Sequence, residues 1–311
     1  MSPTMSSPSA APPTSRPESV VAVPVRHPGR WVAVAVLAVL AAMFMHMVTT
    51  NPVFNWSFML DNIARPPVLE GVRTTLLMTV EAMAIGTVLG IVLAVMRLSP
   101  NPIVAGAAWT FVWFFRAIPR YVLLTICGGL GIFYSTYTIG VPFGSQIASA
   151  LGLDTSLTLA SFDGNDIARG FLAGLIGLSL SEGAYMAEIV RAGITSVDTG
   201  QHEAAAALGM TRMLTMRRIV LPQAMRVIVP PTGNETVAML KDTSLLIAIP
   251  VTNELFFQLQ AIGNRTFQIV PMFMAALLWY LALSSLLMAG QHMLERRFSR
   301  GFGTARAGGG R

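Results

Sequence analysis

EAAAALGMTRMLTMRRIVLP, Glu203 to Pro222, is a charged and basic stretch between two of the most apolar parts of the chain. A connection between apolar runs is ordinarily short, or polar and irregular, whereas this one reads as helix, turn, helix. Thr199 is placed to cap a helix that Glu203 favours from its first turn, and Ala204 to Leu208 are strong helix formers. Gly209 suits the left-handed position that ends helices, and Thr211 is placed to cap a second short helix through Arg218. Leu221 before Pro222 is expected to leave helical geometry, with Pro222 starting the next helix. The product is a small-residue face, Ala204, Ala205 and Leu208, on a short lever into the apolar segment that follows. Two readings stand: a helix that enters a groove on a partner, and an amphipathic helix lying on lipid headgroups.

The flanking sequence places this lever in a membrane. Of 311 residues 53% are apolar and 12% charged, more apolar surface than one soluble core buries. Candidate spans near the ~20 residues needed to cross the hydrocarbon are Trp31–Val48, Val72–Met96, Tyr121–Thr138, Gly170–Ala187, Ala224–Val251 and Pro271–Met288. The fold class is therefore an all-α membrane protein of about six transmembrane helices. Residues 1–30, rich in Pro, Ser and Ala, form a disordered tail. Residues 31–49 are a retained first helix, since the apolar run starts too late for a signal peptide and no small-residue cleavage site follows it. Residues 296–311 are a basic, Gly-rich tail.

Basic residues collect in cytoplasmic loops. Arg16, Arg26 and Arg30 precede the first span, Arg97 follows the second, five arginines from Arg191 to Arg226 separate the fourth from the fifth, and Arg296, Arg297 and Arg300 follow the sixth. The loop from Tyr137 to Asp166 holds Asp154, Asp163 and Asp166 and no basic residue. Both termini and the quoted stretch are thus expected in the cytoplasm of a prokaryote whose cell membrane holds the chain. The net charge of +6 reflects topology and not nucleic-acid binding. A lone Cys127 excludes a disulfide within the chain and a cysteine metal site.

The spacing of the quoted residues distinguishes the two readings. Glu203, Ala204, Ala205, Gly209, Ile219, Leu221 and Pro222 fill every position of a pattern that resembles the EAA motif of membrane subunits of ATP-binding cassette (ABC) importers. GAYMAEIVRAGITSVDTGQ (Gly183–Gln201), LPQAMRVIVPP (Leu221–Pro231), LKDTSLL (Leu240–Leu246), GVRTTLLMTVEA (Gly71–Ala82) and FFRAIP (Phe114–Pro119) resemble the polar amino-acid uptake permeases. The likeness covers residues 65–295, with Arg120, Glu81 and Glu182 as departures. It implies a type I importer permease fold, a five-helix core preceded here by an extra helix, and a coupling segment over 199–222 that docks on an ATPase. It also implies two ATPase subunits, a second permease, identical or homologous, and an extracytoplasmic solute-binding protein.

The chain is not expected to hydrolyse ATP. A phosphate-binding loop needs Gly-Lys-Ser/Thr, and the single lysine, Lys241, follows Leu240. ATP and Mg are then used by the partner ATPase, and no cofactor or metal is bound by this chain. His202-Glu203 is followed by Ala206, so no His-Glu-x-x-His pair forms.

Charged residues inside spans need a reason, since an ionised group there costs at least ~2.5 kcal/mol on insertion scales. Lys241 and Asp242, with Asn234 and Ser244 nearby, line a pathway or gate, or else serve structure, as a mutual ion pair or by satisfying backbone groups freed at Pro230 and Pro231, which are expected to bend the helix. Glu81 and Glu182, without basic neighbours in sequence, are candidates to meet the ammonium of a cationic amino acid. Glu188 and Arg191 share a helix side as a surface pair; the resemblance implies that they, Arg116 and Pro119 brace the coupling segment. His46 and the Met-rich positions read as lipid-facing or packing residues. The function expected is an importer permease for a polar amino acid. The alternatives are another small solute such as an opine, a sulfur compound or an osmolyte, an ion-coupled secondary transporter, or a membrane anchor.

Overall fold

The computed structural model describes residues 28–298 apart from 134, 154–156, 165, 167–169 and 250. Most of the expected N-terminal tail and the end of the C-terminal one lie outside the described residues. The chain divides into two compact units at Asn51/Pro52.

The first unit holds α1 (Pro28–Thr50), whose first three residues belong to the expected tail. Apolar side chains face outward all round it: Trp31, Leu37 and Phe44 are each exposed. A helix apolar on every side and long enough to cross the hydrocarbon is a membrane helix.

The second unit is built on two long helices, α3 (Pro66–Arg97) and α7 (Phe171–Thr195). Lipid tails are as apolar as leucine, so helices associate in a bilayer by close backbone approach at small residues. Gly86 and Gly90 provide it: a Cβ at Gly86 would stand 2.6 Å from the Cβ of Glu182, and one at Gly90 2.4 Å from the Cβ of Met186. Around this pair pack α4 (Pro102–Ala117), α5 (Arg120–Gly128) and α9 (Leu221–Asp242). Then α10 (Leu255–Thr266) and α11 (Ile269–Phe298) close a second apolar cluster with Met59 of α2 (Trp56–Asn62), centred on Leu240, Leu255, Leu259 and Met272.

Several sequence expectations are met, with corrections. Among the described residues three helices qualify as spans by length and apolarity, α1, α3 and α11, and α4 with α5 form a fourth as a pair bent by 99°. The helices α7 and α9, 25 and 22 residues long, reach across a bilayer in length but carry charged side chains. The segment Pro102–Ala117 was not among the expected spans, and the expected span Tyr121–Thr138 does not form. Ile118 before Pro119 is extended, as proline demands of its predecessor, and this breaks the helix before α5. After Gly128 and Gly129 the chain makes one more helical turn and enters β1 (Thr136–Gly140), antiparallel to β2 (Thr158–Asp163), with α6 (Gly144–Ala150) between them. Thr136, Tyr137, Thr138 and Ile139 are β-formers, so the end of that apolar run becomes a hairpin. Pro230 and Pro231 lie inside α9, which runs on to Asp242.

Candidate functional site

Arg120 is the first residue of α5, directly after Pro119. A cation there is opposed by the helix dipole, and three carboxylates from two other helices surround it. Its Nη2 donates to Glu182 Oε2 of α7 at 3.1 Å, its Nη1 donates to Asp242 Oδ2 of α9, and Glu235 Oε2 of α9 stands 3.6 Å from Nη2. Its Nε donates to Ser181 Oγ at 3.1 Å. The guanidinium carbon lies 4.8 Å from the centroid of the Tyr185 ring, and that of Arg116 lies 5.3 Å from the same ring, both within cation–π range. Glu182 is fully buried, and its Oε1 has no hydrogen-bond partner among the described residues. Among the described residues three carboxylates surround the Arg120 guanidinium, with that of Arg116 on the same Tyr185 ring, inside a bundle where unpaired charge is costly.

This arrangement sorts the sequence candidates. Glu182 and Asp242 belong to the cluster. Lys241 is exposed and takes part in no salt bridge among the described residues, so the expected Lys241–Asp242 pair is replaced by Arg120–Asp242. Ser244 Oγ donates to the Lys241 carbonyl at 2.7 Å, and Glu81 is half-buried on α3, outside the cluster. Asn234 Oδ1 accepts from Gln291 Nε2 of α11 at 2.9 Å, and the same Nε2 reaches the Pro230 carbonyl at 3.4 Å, so Asn234 ties two helices together. Glu188 accepts from Arg191 at 2.8 Å, and Arg97 of α3 adds a second cation at 3.4 Å, which makes the expected surface pair an interhelical one.

Sequence reading missed Glu235, Tyr185 and Ser181. Ser181 and Tyr185 flank Glu182 on α7, but their partner Arg120 lies about 60 positions away in the chain. It also missed Glu254, fully buried at the start of α10. Oε1 of Glu254 accepts from Thr75 Oγ1 at 2.9 Å and Tyr280 Oη at 2.7 Å, and Oε2 accepts from the backbone N–H groups of Phe256 at 2.7 Å and Phe257 at 3.2 Å. This carboxylate caps α10 and ties it to α3 and α11.

The stretch Glu203–Pro222 forms the expected helix, turn, helix. In α8 (Thr199–Ala207) the cap is Asp198, whose side chain accepts from the Gly200 N–H, and not Thr199. Gly209 takes the left-handed conformation at φ 72°. Thr211 caps the next turn through the Leu214 N–H. Five residues of π-helix, Met216–Val220, then run directly into α9, with Leu221 helical at φ −57°, ψ −45°. Leu221 therefore does not leave the helix. Its N–H bonds the Met216 carbonyl five residues back, and Pro222 falls in the first turn of α9, where a missing N–H costs little. Ala205 is buried at 3% exposure, while the rest of α8, Glu203 and Ala204 included, and Leu208 just past it, 81% exposed, face outward.

A sequence model of the binding-protein-dependent transport system inner membrane components matches residues 86–300. The chain belongs to this family. It is an importer permease, and its family is a membrane component that does not itself hydrolyse ATP. Among the relatives of this permease, the arginine transport system permease protein ArgU of Corynebacterium glutamicum is 42% identical over 288 residues, covering 93% of this chain and 86% of that one. The glutamate/aspartate import permease protein GltK of Escherichia coli is 35% identical over 231 residues, covering 74% of this chain and 92% of that one. A solved amino acid ABC transporter crystallised with histidines superposes with a TM-score of 0.56 at 28% identity, over 75% of this chain and 94% of that one. The MetNI methionine transporter, at 18% identity and a TM-score of 0.54, shares the fold.

Proposed function

We propose that this permease carries a cationic amino acid, as one of a pair of membrane subunits driven by two separate ATPase subunits and supplied by an extracytoplasmic binding protein. The observation that carries the reading is the excess of acid at Arg120: Glu182, Glu235 and Asp242 around its guanidinium, with one oxygen of Glu182 unpartnered among the described residues. Such a site favours an incoming ammonium or guanidinium and leaves Arg120 to meet a substrate carboxylate. The similarity to a permease named for arginine supports the same substrate class.

Coupling is assigned to α8. Glu203, Ala204 and Leu208 face outward, Gly209 sets the turn, and Ile219, Leu221 and Pro222 carry the lever into α9, which ends at Asp242. Movement of a docked ATPase would thus reach the acidic cluster through one continuous helix, in a rigid-body exchange between two packings. The arginine distribution supports a cytoplasmic position for α8 and both termini. ATP and Mg belong to the partner, while this chain supplies the path.

The test is uptake in proteoliposomes holding the permease, its ATPase and its binding protein. Labelled arginine or lysine should enter only with ATP outside on the ATPase side, and glutamate should not compete. Uptake of glutamate in preference to arginine overturns the cationic assignment, and uptake without ATP overturns the coupling.

A further inference from the structure

An open groove of about 860 Å³ runs between α3, α7 and α9. Its floor is Met186, Val190, Ile228 and Val229, all buried, and its rim includes the exposed Ile91 and Val95. Along α9 it extends from Leu221 to Thr236 and along α3 from Leu98 back to Thr87, which at 1.5 Å per residue is roughly 16–22 Å. One leaflet of a bilayer is about 15 Å of hydrocarbon, half of the whole. At one end, Met216 lines the groove and is followed by Arg217 and Arg218, both exposed and without a carboxylate partner among the described residues.

We propose that this groove is a binding site for an anionic phospholipid, its acyl chains between α3 and α9 and its phosphate on Arg217 and Arg218. The depth of the groove matches a leaflet, its lining is apolar, and its charged end lies at the level where α3 and α7 end and α9 begins, as a headgroup layer requires. A second copy of the chain fits less well. A two-fold axis along the membrane normal keeps residues at equal depth, so a copy paired about an axis at the groove itself would set its own Arg217 and Arg218 against these. The proposal does not depend on the transported substrate.

The test is a lipid titration of the purified, delipidated importer in mild detergent, with phosphatidylglycerol and phosphatidylcholine of the same acyl chains, read by native mass spectrometry. The permease should bind phosphatidylglycerol more tightly. Arg217→Gln with Arg218→Gln should reduce that preference by about 25-fold, at about fivefold per arginine. Ile91→Trp, a change on the exposed rim, should weaken both lipids together. Equal binding of the two lipids by the wild type, or retention of the preference in the double variant, overturns the site. So does cross-linking of Ile91→Cys to a second permease, which would mean that a protein chain fills the groove.

Discussion

Arg120 and Glu182 lie 62 positions apart in the chain, and their side chains meet at 3.1 Å in the interior of the bundle, where Glu182 is fully buried. Removing one member strands the other in a medium that solvates charge poorly. Arg120→Met is therefore expected to destabilise the subunit by about 3–5 kcal/mol, and adding Glu182→Gln should recover part of that loss. Thermal unfolding of the three variants in detergent measures the coupling; strictly additive losses would show that the two residues act independently.

Transport should read the same cluster differently. Of the three carboxylates Glu235 lies farthest from Arg120, at 3.6 Å, and it is partly exposed. Glu235→Gln is expected to raise the apparent KM for arginine by about tenfold, the equivalent of ~1.4 kcal/mol, while thermal stability stays close to that of the wild type. An unchanged KM in a well-expressed variant would take Glu235 out of the substrate path.

Leu208, the residue that caps the end of α8, is an apolar side chain 81% exposed, so replacing it disturbs little within the permease. Leu208→Asp and Glu203→Lys should leave the melting temperature unaltered and abolish co-purification of the ATPase. Gly209→Pro should fold into the membrane and fail in uptake, because proline fixes φ near −65° where the turn needs +72°. Normal ATPase recovery with Leu208→Asp would move the docking surface elsewhere.

Glu254 accepts from two hydroxyls and two backbone N–H groups. The N–H groups cannot turn round, but Thr75 and Tyr280 can rotate their hydroxyls and accept. Glu254→Gln, with its oxygen on the backbone and its NH2 on the hydroxyls, should thus melt near the wild type. Glu254→Leu should lose roughly 1–3 kcal/mol for each stranded buried group. A glutamine variant as unstable as the leucine one would mean that the negative charge itself is required.

Glycine substitutions separate packing from propensity. Gly90→Val sets a side chain against the Met186 Cβ and should prevent α3 and α7 from packing, seen as loss of folded protein on gel filtration. On α4, Gly106 has nothing within 4 Å of an added Cβ, so Gly106→Ala should stabilise by up to about 1 kcal/mol.

Features held in a short stretch of sequence were legible. Gly209 and Thr211 act where local chemistry places them, and the seven residues from Glu203 to Pro222 that resemble the EAA motif lie within one contiguous segment. The apolar runs over α1, α3 and α11 were equally plain, because lipid selects for composition along a single helix. The third span was misread because apolarity alone does not separate a bent helix pair and a hairpin from a straight helix. The break at Ile118–Pro119 had a local signal, while the hairpin needed a strand partner about 25 residues away.

By itself, then, the sequence determined that this chain lives in a bilayer, where its helices lie for the most part, and that it resembles an importer permease. Tertiary structure alone decided which charges meet. Lys241 adjoins Asp242 in the chain yet makes no salt bridge with it, while Arg120, 122 positions away, does, since neighbouring residues on a helix point in different directions. Likewise only packing turned Ala205 inward and left Leu208 outside. Spacing along the chain sets the available faces of each helix, and the approach of α7 to α3 at Gly86 and Gly90 selects the one that becomes interior.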